Sequence, residues 1–233
     1  MVPKTIFVSI LILCIHTYAI DITDKELDVY LRTEYNRSFG GCWDLSVIGN
    51  IKPLDLFMLR GGLSVGSLSA GIDDIKAFSS AHIDPFSLIP LRFSVFYIYN
   101  GLLYYDVHAQ SIIPVVSYGV SRAGVSRAGV SYGPCFRFTS FFGEAAQYEL
   151  INSFSAYVNI INNGKRRLEA VVGNFSDFYA KNMGAYSLKF DYSMFIAGNW
   201  TVINEVELLQ SGSDALTANF YGLAWRGGAK YSW

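Results

Sequence analysis

The sequence predicts an all-β protein: one transmembrane antiparallel up-and-down β-barrel of ten strands, with eight as the alternative. Three observations predict it. The last stretch, ANFYGLAWRGGAKYSW, puts Tyr221, Leu223, Trp225, Ala229, Tyr231 and Trp233 in one alternating phase, and Gly222, Ala224, Arg226, Gly228 and Lys230 in the other. Successive side chains of a strand point to opposite faces, so this stretch has an apolar face and a small or charged one. Charged residues are 16% of the chain, against roughly 25% in an average soluble domain, which is too few to coat a protein of this size. Beyond the N-terminus no run reaches the ~18 apolar residues of a membrane-spanning helix. The apolar content therefore belongs to strands.

Residues 1–19 read as a signal peptide. Lys4 supplies the positive region, Ile6 to Ile15 the apolar run, and Thr17-Tyr18-Ala19 the small-residue cleavage site. Cleavage after Ala19 leaves residues 20–233 as a single barrel domain. Export also changes the reading of Cys42 and Cys135, because disulfides persist in oxidising compartments. The sequence leaves a Cys42–Cys135 disulfide and two free thiols equally open.

Strands follow in order. Leu27 to Asn36, Trp43 to Ile48 and Phe57 to Gly66 alternate, and Gly62 and Gly66 fall on the polar phase of the third, where a neighbour must approach closely. Gly71 to Pro85 reads as a loop. Ile89 to Tyr99 and Leu103 to Val115 flank Asn100-Gly101, a strong hairpin signal. In Ser117 to Pro134 the pentapeptide Val-Ser-Arg-Ala-Gly occurs twice in succession, at Val120 and at Val125. Surface loops tolerate insertions, so this duplication is expected in a loop on the cell exterior. Phe136 to Phe142, Tyr148 to Ile160, Leu168 to Phe175, Tyr186 to Ile196, Val202 to Leu208 and the terminal stretch complete eleven alternating segments. A single-chain bacterial barrel has an even number, with both termini periplasmic. Dropping Phe136–Phe142 or Leu168–Phe175 gives ten.

The signal, the alternating segments, the Asn-Gly turns and the terminal aromatic resemble small bacterial outer-membrane barrels of the OmpA-domain, OmpX and OmpW kind, including the small barrels of spirochaetes such as the treponemes. The resemblance covers residues 20–233. It implies that Tyr221, Leu223, Trp225, Tyr231 and Trp233 form the signal read by the barrel-assembly machinery, although Trp233 stands where the family usually has Phe. It also implies a narrow channel or a structural protein, with uptake of small hydrophobic molecules as the OmpW kind suggests. The expected partners are outer-membrane lipid, the assembly machinery and a small hydrophobic solute.

The polar phases collect Arg60, Arg92, Asp106, His108, Lys189, Asp191, Glu205, Glu207, Arg226 and Lys230, together with Arg32 and Glu34. Facing one another across a narrow lumen, charges of both signs are expected to pair, since a buried unpaired charge is costly. That network is either a plug or a polar path. Asp106 and His108, two apart on one strand, are the residues a barrel-embedded hydrolase or lipid-modifying enzyme would use; with no fixed nucleophile beside them, no enzyme is expected. Two histidines and two distant cysteines are not a zinc pattern, and no metal or cofactor is expected. A formal net charge of −1 excludes a nucleic-acid binder. A host-binding surface protein acting through its loops is the remaining alternative, and the chain is expected to be a monomer.

Overall fold

A computed structural model describes residues 24–36, 40–54, 56–67, 74–86, 89–103, 106–122, 125–141, 147–179, 185–211 and 220–233. The signal peptide lies outside the described residues. Twelve strands form a closed barrel: β1 Asp24–Asn36, β2 Gly40–Leu54, β3 Phe57–Ser67, β4 Asp74–Ile83, β5 Leu91–Leu102, β6 Val107–Arg122, β7 Val125–Phe141, β8 Gln147–Asn162, β9 Arg166–Gly173, β10 Ala185–Ala197, β11 Trp200–Ser211 and β12 Phe220–Ser232. Each pairs antiparallel with its chain neighbour. β12 closes on β1, with Leu27 opposite Tyr231 and Arg32 opposite Arg226. Every strand is thus hydrogen-bonded to two neighbours, as a bilayer demands of a strand-built span.

The strand count corrects the expected ten or eight. Both segments that the even-number rule set against each other are strands, β7 and β9, and the expected loop at Gly71 to Pro85 contains β4. β4 hides because the middle of its outward phase is small, with Ala77, Ser79 and Ala81 between Ile75 and Ile83. With six strands before it, the duplicated pentapeptide belongs to the rim that holds Asp24 and Trp233, not to the opposite one. The first three residues of the first copy lie in β6 and the whole second copy lies in β7, the two arms of one hairpin. The register slips by one residue at Val120/Ser121. Asn100-Gly101 is likewise inside β5, with Gly101 opposite His108. The turn comes later, where Asp106 adopts φ 45°, a left-handed conformation that Asp tolerates better than most residues.

The outer face is apolar. Leu31, Leu45, Val47, Leu223 and Trp225 are all exposed. Near the terminal rim Tyr231 lies between Trp200 and Trp233, with ring centroids 4.9 and 5.6 Å away. Towards the far rim Phe138 packs on Tyr148 at 5.3 Å. An apolar band edged by aromatics is the lipid-facing surface of a transmembrane barrel.

Candidate functional site

The inward phases build two unlike walls. One is charged, on β10, β11, β12 and β1. Glu205 accepts from Arg226 and lies 3.2 Å from the Lys189 ammonium. Arg32 donates to Glu207 at 2.7 Å, and Lys230 donates to Glu26 at 3.0 Å. The Arg226 guanidinium lies 4.7 Å from the centre of the Tyr30 ring, and Tyr30 donates to Asp28 at 3.0 Å. Gly228 makes that stack fit: a Cβ there would stand 2.6 Å from the Tyr30 ring and 2.3 Å from the Val29 carbonyl. Arg226 thus has a carboxylate on one side and an aromatic face on the other, a combination suited to a planar cation.

The other wall is apolar. Ile98 of β5, Ile113 and Val115 of β6, Cys135 of β7 and Ile151 of β8 form one buried cluster with Phe78 of β4. Gly62 of β3 gives Phe78 its space, since a Cβ at Gly62 would lie 2.6 Å from that ring.

Between the walls runs the chain that follows β9. β9 has 8 residues, against 16 in β8 and 13 in β10. Beyond Gly173 the chain leaves the wall and turns into the lumen. Asn174 makes the turn possible. Its amide N–H reaches the Phe154 carbonyl at 3.1 Å, its side-chain oxygen accepts from Phe154 N–H at 2.8 Å, and its side-chain NH2 donates to the Asn152 carbonyl at 2.8 Å. The carboxamide supplies the donor and acceptor that the next peptide unit of β9 would have offered β8. Backbone groups at such depth must be satisfied by some partner.

The inward segment then crosses the barrel. Asp177 accepts from Arg60 of β3 at 2.6 Å, and β3 and β9 are six strands apart in either direction around the ring. Phe178 meets Phe78 edge-on at 4.9 Å, and Phe175 lies 5.7 Å from Phe96. Tyr179 donates to Glu207 and lies 3.0 Å from the Ser187 hydroxyl. Asn174–Tyr179 is therefore tied to the wall opposite, to the apolar wall and to the charged wall. Leu168–Phe175 reads as an alternating segment and Asn174 to Gly184 as a loop, so the sequence marks where the chain leaves the wall; nothing local marks that it turns into the lumen.

The residues expected in the lumen divide as follows. Arg60, Lys189, Glu205, Glu207, Arg226 and Lys230 face inward and take the contacts above, and Asp191 stands opposite Glu205 in the β10–β11 ladder. The Glu34 side chain is outside the described residues. Arg92 lies at the terminal rim and makes a two-pronged ion pair with Asp84, both bonds 2.7 Å. There the hydrogen bond from Arg92 holds the Asp84 carboxyl below the ordinary carboxylate range. Asp106 and His108 are not in the lumen. His108 shares its phase with the exposed Ile112 and Val116, and it bonds Tyr99 at 2.9 Å and Asp106 at 3.2 Å on the outer face near the far rim. The adjacent Ile112 and Ile113 hide the phase of β6, so that periodicity alone places these two residues on the wrong side. Cys42 and Cys135, on β2 and β7, are not joined in a disulfide. Among the described residues no group of His, Cys, Asp and Glu has the arrangement of a metal site. Of the terminal aromatic phase, Leu223, Trp225 and Trp233 are exposed on the outer face; the Tyr221 side chain is outside the described residues.

No known protein family matches the sequence, and no curated protein does. Solved structures match the fold. The NanC porin superposes with a TM-score of 0.56 at 10% identity, over 87% of this chain and 98% of its own. The KdgM porin, solved in complex with disordered oligogalacturonate, superposes with a TM-score of 0.59 at 9% identity, over 89% and 99%. This is the fold of a bacterial outer-membrane β-barrel. The apolar belt locates the chain in that membrane. The likeness extends over almost the whole length of both porins, and it gives no support to the narrower OmpA, OmpX, OmpW or spirochaetal resemblance.

Proposed function

We propose that this outer-membrane barrel is a channel for small solutes, narrowed by the inward segment Asn174–Tyr179. The observation that carries the reading is the Arg60–Asp177 ion pair, which ties the chain leaving β9 to the opposite side of the barrel. Twelve strands enclose more space than the eight that side chains alone fill, so a segment laid across the lumen decides what passes. A solute there meets carboxylates and guanidiniums on one side and Ile, Val and Phe on the other. The reading therefore favours small molecules with a polar and an apolar part, such as short amphiphiles. The apolar outward phase of β12 serves in the same reading as the handle for the assembly machinery.

Reconstitution in planar bilayers tests it. Wild-type protein is expected to show small discrete openings, and Asp177→Ala to raise the unit conductance severalfold by freeing the segment. Silent membranes from correctly folded wild type and Asp177→Ala alike would overturn the channel and leave a structural barrel.

A further inference from the structure

We infer that Asn174–Tyr179 is a two-state element: it plugs the lumen in one state, and in the other it extends β9 up the wall and clears the lumen. The inference rests on the channel reading and adds its gating. It begins with a mismatch in strand length. β9 stops at Gly173, which is opposite Ser155 of β8 and Ser187 of β10. β8 continues from Phe154 to Gln147, and that half pairs with β7 on its other side. Among the described residues, the inner half of the gap left beside β8 is bridged by Asn174, through one backbone bond and two side-chain bonds. A sheet edge in this position is a template for another strand.

The segment that would fill the gap is the one folded into the lumen. Continuing the β8–β9 register beyond Ser155 and Gly173 sets Asn174 opposite Phe154, and its N–H already bonds the Phe154 carbonyl. The same register sets Asp177 opposite Ile151 and Tyr179 opposite Glu149. Glu169, Val171 and Gly173 are the inward phase of β9, so Phe175, Asp177 and Tyr179 would continue it. Phe178 would then face lipid and Asp177 the lumen, which is where each side chain is best solvated. In the plugged state the contacts to Arg60, Phe78 and Glu207 hold the segment. In the extended state, ladder hydrogen bonds to β8 replace them. Two packings that exchange one set of bonds for another in this way make a switch.

Two cysteine traps that share position 177 test it, in a Cys42→Ser/Cys135→Ser background. Arg60→Cys/Asp177→Cys, joined by a short thiol-reversible bis-methanethiosulfonate linker, holds the plug. Ile151→Cys/Asp177→Cys, oxidised directly, holds the extension, because a disulfide needs its Cα atoms within about 7 Å. Both pairs are expected to cross-link in folded, heat-modifiable protein. The extended trap should conduct severalfold more than the plugged one, and reduction should bring the two to similar values. No Ile151–Asp177 cross-link, or equal conductance from the two traps, would overturn the switch. Glu149→Cys/Tyr179→Cys, the next rung with the same phase, repeats the extended trap should the first variant misfold. Silence from every variant would overturn the channel itself, while the cross-link yields would still decide whether the segment moves.

Discussion

Glu205 on the charged wall and Ile113 on the apolar wall are both almost completely buried, at 3% and 0% exposure, yet they are costly to lose for different reasons. Ile113 contributes by filling space among Ile98, Val115 and Cys135, and its loss is graded with the volume removed. Glu205 contributes by being charged, since it holds Arg226 and Lys189 together, and its loss leaves two cations facing each other in a poorly solvated lumen. A half-apolar, half-ionic lumen therefore has one wall whose failures are local and one whose failures spread through its neighbours.

The largest expected effect separates the two. Glu205→Ala should destabilise the folded barrel by about 3–5 kcal/mol, as breaking one side of a buried pair does, read from urea midpoints in detergent. A Glu205→Ala/Arg226→Met double variant should recover a good part of that loss; two independent, additive losses would refute the coupling. Ile113→Ala should cost about 2–4 kcal/mol and should show no such recovery with any charged-wall partner. Gly62→Val should cost about 1–3 kcal/mol by overpacking Phe78. Since Phe78 carries Phe178, it should also alter unit conductance, and unchanged conductance would break the link from β3 through Phe78 to the inward segment. The smallest effect is at the terminal rim. Asp84 and Arg92 are each 44% exposed, so solvent screening holds Asp84→Asn to within about 1 kcal/mol. The sign is fixed: a carboxyl whose folded pKa is lowered stabilises above its unfolded value of about 3.9, and that contribution disappears as pH falls through the folded value. Wild type and Asp84→Asn should therefore differ at neutral pH and converge in acid.

Most of the barrel wall is legible in the sequence because lipid and lumen impose a period of two. Tyr186 to Ile196 and Leu223 to Trp233 declare their faces residue by residue. β4 escapes because alternation of Ala and Ser with Lys and His carries little contrast. β6 is misread because Ile112 and Ile113 are equally apolar while one faces lipid and the other the cluster. The ion pairs of the charged wall are foreseeable as a class, since charges of both signs on inward phases must find partners. Which carboxylate meets which cation depends on register, as when Glu205 and Arg226 stand directly opposite each other in the β11–β12 ladder. The inward course of the segment after Gly173 is illegible for a stronger reason. Asp177 and Arg60 are 117 residues apart, and they meet only because twelve strands, rather than ten, set β3 opposite β9.

The duplicated pentapeptide has a consequence for how such a wall can lengthen. Five is an odd number, so repeating the unit within one strand would turn every later side chain to the other face. Here the first three residues of one copy and the whole of the other fall on the two arms of one hairpin, and the odd residue is taken up where the ladder slips between Val120 and Ser121. Below that slip Tyr118 still faces Val130, and Ser117 still hydrogen-bonds Ser131 at 2.8 Å. A barrel can thus acquire sequence at a hairpin tip, lengthen two staves together, and keep lipid and lumen sorted everywhere else.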